Sequence, residues 1–138
     1  MSDIMKEKDN VHFLAVGKGS QAGRIREVFR SAGVEGRLHL PGAVKGDDIP
    51  DVYAAMDVFV FASKSETQGI VIAEAMAAGV PVIGLDANGV RDVVSDGENG
   101  FLADREEVGC FRSCVDKFMS LDANDRDLMT DKAREAAR

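Results

Sequence analysis

The sequence predicts an α/β fold in which helices cover both faces of a parallel sheet of about five strands. Short apolar runs alternate with helical patterns along the chain, and strands separated by helices need the crossover connections of a parallel sheet. With 138 residues, 45% hydrophobic and 30% charged, the chain has the size and composition of one globular domain covering residues 1–138.

Strands are predicted where short apolar runs end at polar, glycine or proline turn residues. The third of them is a continuous apolar run of the kind that is buried on both faces of a sheet. The predicted strands cover residues 11–16, 37–40, 58–61, 80–85 and 101–102.

Helices are predicted where apolar residues recur at helical spacing between start and stop signals. Gly33 and Gly79 are stop signals, and Asp104 with Glu107 three residues later resembles a capping box. The predicted helices cover residues 20–32, 47–56, 69–78, 90–94 and 104–119, and a last one begins near Asp122.

Charge and hydropathy exclude several classes of function. The chain has 17 basic and 24 acidic residues, a net charge of −7, so it lacks the electrostatic footprint of a nucleic-acid-binding protein and would be repelled by anionic lipid surfaces. No apolar stretch approaches the ~18 residues of a membrane span, and no signal peptide opens the chain. We therefore expect a cytoplasmic protein without nucleic-acid partners.

The cysteines and histidines predict no metal centre. Cys110 and Cys114 lie four residues apart in a predicted helix, and we expect reduced thiols, at least one of them buried and neither catalytic. His12 and His39 each stand alone on a predicted strand. We expect neither a metal nor another cofactor.

The segment after the third strand carries the candidate ligand site. Ligands of parallel sheets bind beyond the carboxyl ends of the strands, and here a polar loop, residues 62–68, leads into a helix whose first amides attract anions. Gly69 lets the backbone approach a ligand closely. Glu74 is the only charge between Gly69 and Pro81, and the hydroxyls of a ligand diol would satisfy its carboxylate.

Each acid of this segment also has a plain structural interpretation. Taken alone, Glu74 fits a partly exposed residue paired with Lys or Arg. Glu66, taken alone, fits an acid that interacts favourably with the dipole of the following helix.

The spacing of the two acids distinguishes this segment from an ordinary helix start. Seven residues separate Glu66 from Glu74, and Ala-Met-Ala-Ala-Gly-Val-Pro-Val follows. This pattern resembles the E-x7-E signature of retaining nucleotide-sugar glycosyltransferases of family 4, which have the GT-B architecture. The resemblance implies their C-terminal, donor-binding domain, with a Rossmann-like three-layer α/β/α fold. Further segments similar to this family are residues 14–19, 40–44, 55–60 and 97–102.

The resemblance implies a role for each matching residue. Glu74 would bind the ribose hydroxyls, Glu66 and the backbone after it the donor sugar, and the first amides of the helix the pyrophosphate. The donor would be a UDP-sugar or GDP-sugar, the anomeric configuration would be retained, and no metal would be required. The implied catalytic residue is Glu66. Gly42, Ala43 and Val44 would lie against the base. The other implied donor-binding residues are Gly17, Gly19, Thr67, Gln68, Gly69, Ile70, Val71 and Glu74.

The chain also departs from the family pattern. The family's domain begins one βα unit earlier, whereas residues 1–10 are too few for such a unit, and no segment of this sequence resembles the N-terminal, acceptor-binding domain. We expect a fragment that is inactive alone, binds nucleotide weakly and either forms a sheet of order 2-1-3-4-5 or pairs as a homodimer. Membrane association of the parent enzyme would depend on the absent half.

Two other classes of function stay open at this stage. The glycines at positions 17, 19 and 23 imitate a dinucleotide-binding fingerprint, although Leu40-Pro41-Gly42 stands where an acidic residue is expected. A non-catalytic interaction or regulatory α/β module also fits the size and the acidic balance. In the intact parent enzyme, loss of donor affinity on replacing Glu74 with Ala would favour the transferase, and an unchanged affinity would favour the module.

Overall fold

The computed structural model describes residues 1–64 and 69–138, and it confirms an α/β fold whose described strand pairings are parallel. The chain divides into two compact units, residues 1–49 and 50–138. The helices and strands are α1 (Ser2–Glu7), β1 (Phe13–Val16), α2 (Ala22–Ser31), β2 (Leu38–Gly42), α3 (Ile49–Ala54), β3 (Phe59–Phe61), α4 (Ile70–Ala77), β4 (Val82–Leu85), β5 (Gly100–Ala103), α5 (Val108–Ser120) and α6 (Ala123–Ala136).

The first unit is built on the parallel pair of β1 and β2, in which Phe13 lies opposite Leu38. Its core contains the buried side chains of Met5, Phe29 and Val34. The Phe13 ring stacks on Phe29 with 5.5 Å between centroids. The apolar face of α2 therefore covers one side of this strand pair.

Helix α1 was not predicted from the sequence, and a single arginine stabilises it. The Arg37 guanidinium donates from Nη2 to the carbonyl oxygen of Met5 at 2.6 Å and from Nη1 to that of Lys8 at 2.8 Å. It also reaches the carbonyl of Val11 at 3.0 Å. Carbonyls near a helix end lack internal donors, so this long-range cation satisfies them and anchors the short helix.

The second unit contains a parallel sheet in the order β3-β4-β5. Strand β4 is buried along its whole length, because it lies between two strands and helices α4 and α5 pack on it. The third strand, β3, was expected to be buried on both faces, but it is only half-buried. The fully buried strand is β4. Helix α6 packs on α4.

Hydrogen bonding groups the described strands into two sheets, β1-β2 and β3-β4-β5, and not into one sheet of order 2-1-3-4-5. Alternating strands and helices specify parallel pairing of successive strands, but they do not ensure that every strand gains a second neighbour. The prediction of a single sheet was wrong in this respect, while the α/β class was right.

Several predicted element ends were also wrong. Residues 90–94 form hydrogen-bonded turns and not a helix. Helix α5 begins at Val108, four residues later than expected. Its N-cap is Glu107, whose side chain makes no capping hydrogen bond. Helix α6 begins beside Asp122, as predicted, and the Asp122 side chain caps it by accepting a hydrogen bond from the Asp125 amide at 2.9 Å. No helix in the described parts of the chain is long and apolar enough to cross a membrane.

Candidate functional site

Gly69 shapes the entry into α4 in the second unit. As the residue before the helix it adopts φ +62°, in the left-handed region, and it is buried. A Cβ at this position would lie 3.2 Å from Val93 Cγ2 and 3.5 Å from the Gly89 carbonyl oxygen. Two features of the fold therefore favour glycine at position 69. Its backbone adopts a left-handed conformation that few other residues adopt, and residues 89–93 pack closely against it.

The amino end of α4 has no side-chain cap from its N-cap residue, because that residue is Gly69. The first bond along the helix runs from the Ala73 amide to the Gly69 carbonyl at 2.8 Å. By helical geometry the amides of residues 70–72 have no acceptor within the helix, and the dipole adds partial positive charge there. Ile70 is 52% exposed, so solvent or a ligand can reach this end.

Glu74 lies one turn into α4, and its side chain is exposed. Its Oε2 accepts a hydrogen bond from the hydroxyl of Tyr53 in α3 at 3.2 Å. The alternative of an ion pair with Lys or Arg is not found for Glu74 among the residues that the structure describes. One carboxylate oxygen is therefore held by the protein, while the side chain stays accessible.

Tyr53 is the residue of this site that the sequence analysis missed. It is only 8% exposed, and its ring meets the ring of Phe59 edge to face at 5.7 Å. Burial above all, and then the charge and the hydrogen bond of Glu74, raise the pKa of Tyr53 to about 12. The signal that was available is composition: this is the only tyrosine of the chain, placed just before the third strand.

Glu66, Thr67 and Gln68 lie outside the described residues. Their roles, and the closeness of Glu66 to Glu74, stay predictions. At the described start of the loop, Lys64 forms an exposed ion pair with Glu106, with 2.6 Å between Nζ and Oε2.

The site residues predicted in the first unit lie at the carboxyl ends of β1 and β2. The Gly17 amide donates to the Gly42 carbonyl at 2.9 Å, so these two turns adjoin each other. Gly19 and Ala43 are exposed, and Val44 is half-buried. The structure thus brings both glycine turns to one edge of this sheet, as expected for successive parallel strands.

His12 and His39 were expected to stand alone, and the structure contradicts this. Their rings lie nearly parallel, with 2.9 Å between Nδ1 of His12 and Nε2 of His39. His39 lies opposite Leu14 in the strand pair, and His12 precedes Leu14 by two residues. Side chains two residues apart on a strand point to the same face, which brings the two rings together.

The cysteines are free, with Cys114 buried and Cys110 half-buried, as predicted. A hydrogen bond with Asp104 raises the pKa of the Cys110 thiol, and burial raises that of Cys114. Both shifts favour the unreactive thiol form over the thiolate. Among the described residues, no group of three or more His, Cys, Asp or Glu side chains is placed to hold a metal ion.

Known proteins resemble this chain over most of its length. The sequence profile described as Glycosyl transferases group 1 matches residues 1–120. The chain is 38% identical over 99 residues to the sulfoquinovosyl transferase SQD2 of Arabidopsis thaliana. This alignment covers 68% of this chain and 19% of that protein. It is 35% identical over 107 residues to the GDP-mannose-dependent alpha-mannosyltransferase of Mycolicibacterium smegmatis, which covers 78% of this chain and 27% of that protein.

Solved structures of glycosyltransferases share the fold. Anabaena Alr3699/HepE, crystallised in complex with UDP and glucose, matches 98% of this chain with a TM-score of 0.81 and 27% identity, over 38% of its own length. The chain therefore spans between 19% and 38% of the lengths of these three proteins. Because the family profile matches 120 of the 138 residues, the chain belongs to the glycosyl transferases group 1 family.

Proposed function

We propose that this chain is the donor-binding domain of a retaining glycosyltransferase, which transfers a hexose from a nucleoside-diphosphate sugar to an acceptor. The observation that carries the proposal is the exposed Glu74 carboxylate, one turn from the amino end of α4, where the N-cap Gly69 has no side chain, in a chain of this family. A carboxylate that accepts from a diol and amides that face a diphosphate are the two chemistries that a nucleotide sugar requires.

In this proposal α4 holds the leaving group. The amides of Ile70 and Val71 bind the pyrophosphate, and Glu74 accepts hydrogen bonds from the ribose. The departing nucleoside diphosphate gains negative charge as the sugar bond breaks, so a fixed dipole at its phosphate stabilises the transition state more than the ground state. Glu66, Thr67 and Gln68 serve the donor sugar, and the turn at residues 42–44 serves the base.

The donor is a UDP-sugar or a GDP-sugar. The mycolicibacterial relative is named for GDP-mannose, and the Anabaena structure holds UDP, so a nucleoside diphosphate is the shared chemistry. We further propose that the domain acts in the cytoplasm without a metal, together with an acceptor-binding domain. We expect the chain by itself to transfer no sugar and to bind nucleotide weakly.

Replacing Glu74 tests the proposal. Glu74→Ala should weaken the binding of UDP or GDP, whichever the chain prefers, by about tenfold to a hundredfold, because hydrogen bonds to a charged group are lost. Ligand-observed NMR measures such affinities. Glu98→Ala, an exposed acid of the same unit, should bind like the wild type.

Two outcomes would count against this proposal. An unchanged nucleotide affinity in Glu74→Ala would favour a non-catalytic interaction module. Micromolar affinity of the unmodified chain in calorimetry would contradict only the weak-binding part.

A further inference from the structure

Tyr53 is a buried residue whose hydroxyl contacts Glu74. Its ring is buried at the end of α3 and packs edge-on against Phe59, the first residue of β3. The Phe59 amide in turn donates to the Pro81 carbonyl at 2.9 Å, just before β4. The tyrosine hydroxyl is therefore carried by a buried ring that packs on the sheet of the second unit.

Among the residues that the structure describes, Glu74 has no comparable support of its own. Its side chain is exposed on a helix that is otherwise apolar, and the contact that the structure gives it is the Tyr53 hydroxyl on Oε2, at 3.2 Å. An exposed glutamate samples many rotamers, and ordering it on binding costs conformational entropy. A fixed donor on one oxygen removes much of that freedom before a ligand arrives.

We propose that Tyr53 is a positioning residue for donor binding, whose hydroxyl fixes the Glu74 carboxylate so that its other oxygen, Oε1, meets the ribose hydroxyls. This inference rests on the proposed function of Glu74. Tyr53 itself does not touch the donor, and it acts only through the carboxylate. The effect is pre-organisation, which lowers the entropic penalty of binding without adding a contact to the ligand.

The tyrosine suits this role better than a charged donor would. A lysine or arginine would neutralise the carboxylate and compete with the ribose for both oxygens. The phenol donates one hydrogen bond and leaves the negative charge in place. With its pKa raised to about 12, the hydroxyl keeps its proton throughout the neutral range and always acts as the donor.

A comparison of ligands separates positioning from a general structural role. Tyr53→Phe keeps the ring and removes the hydroxyl, and it should weaken nucleotide binding by about threefold to tenfold. For the 2′-deoxy or 3′-deoxy nucleotide that lacks the hydroxyl bound by Glu74, the variant and the wild type should bind equally. Equal weakening for all the nucleotides would show a structural role and overturn the inference.

A second measurement tests the contact without any ligand. The chain has one tyrosine and no tryptophan, so absorbance near 295 nm reports the ionisation of Tyr53 alone. Glu74→Gln should lower the titration midpoint from about 12, because the charge of Glu74 is removed, while burial keeps the midpoint above the ordinary 10.0. An unchanged midpoint would overturn the inference, even if Tyr53→Phe fails to fold. Ser120→Ala, which removes a hydroxyl bonded to the Lys117 carbonyl at the end of α5, is the control and should change neither measurement.

The two proposals fail separately. If Glu74→Ala binds nucleotide like the wild type, or if no nucleotide binds at millimolar concentration, the proposed function fails and the inference falls with it. If Glu74→Ala loses affinity while Tyr53→Phe does not, only the role of Tyr53 is wrong.

Discussion

Asn99 closes the turn before β5 with both ends of its amide. It is 4% exposed; its Oδ1 accepts from the Ser95 amide at 2.8 Å, and its Nδ2 donates to the Val93 carbonyl at 3.0 Å. Asn99→Ala leaves both backbone groups without a partner and should lower the free energy of unfolding by about 1–3 kcal/mol. Urea denaturation measures this loss. The exposed Asn88→Ala is the control, and an equal loss in both variants would contradict the argument.

Alkaline stability tests Tyr53 at the same scale. In the unfolded chain its hydroxyl ionises near pH 10, whereas in the folded chain its pKa is about 12. Between these values the folded form holds a proton that the unfolded form has lost. The contribution of Tyr53 to the free energy of unfolding is therefore fully present below pH 10 and is lost as the pH rises through 12. Urea denaturation from about pH 9 to pH 11.5 should show a smaller fall for Tyr53→Phe. Equal falls would mean that Tyr53 titrates normally.

Single residues were predictable where the pattern alone decides their place. Glu74 was found from its charge in an apolar helix, and Gly69 from its position before that helix. The His12–His39 contact was missed, although the period of two along parallel strands contains it. Tyr53 was missed because composition marks it only as the one tyrosine of the chain, whereas its contact with Glu74 joins residues 21 positions apart.

Among the elements, the pairing of β4 with β5 requires a glycine. A Cβ at Gly100 would overlap the Val82 carbonyl oxygen and lie 2.9 Å from its carbonyl carbon. Gly100→Ala must therefore push apart two buried strands, and it should destabilise the protein by about 3 kcal/mol.

The same chain offers a matched control for this substitution. Gly109 lies in α5, and a Cβ there would meet nothing within 4 Å. Gly109→Ala should be neutral or should stabilise the protein by up to about 1 kcal/mol, because alanine favours the helix. Thermal and urea unfolding of both variants give the comparison. Similar losses in both would show that the effect comes from losing any glycine and not from the approach of two strands.

Elements were predictable in kind but less so at their ends. The cores of the strands and long helices follow from apolar periodicity. Asp104 was expected to cap α5, but it bonds Cys110 instead, and the helix begins later. Helix α1 escaped prediction because its support is Arg37, some thirty positions along the chain. Local signals do not contain such tertiary partners.

At the scale of the whole molecule, the sequence predicted the class and the family but not the division into two sheets. Family membership follows from motifs spread along the chain, and the profile matches residues 1–120 accordingly. How far each sheet extends is a different question, since it depends on which backbone edges find partners. The pattern of apolar runs is the same whether a strand has one neighbour or two.

The two units should also differ in local stability within one molecule. The first has a two-stranded sheet with half-buried strands, and such a pair depends on a small core for its stability. The second has three strands, and its central strand β4 is fully buried. Because amide exchange in a core requires larger openings, we expect the amides of β4 and β5 to exchange most slowly.

Hydrogen–deuterium exchange read by NMR measures this difference directly. The Ile83 and Leu85 amides should be protected at least about tenfold more strongly than those of Leu14 and Leu38, since each 1.4 kcal/mol of opening free energy is a factor of ten. The comparison needs no variant, because both strand pairs experience the same solution. Equal protection in β1 and β4 would mean that the smaller core opens only when the whole chain unfolds, and the argument from burial would then be wrong.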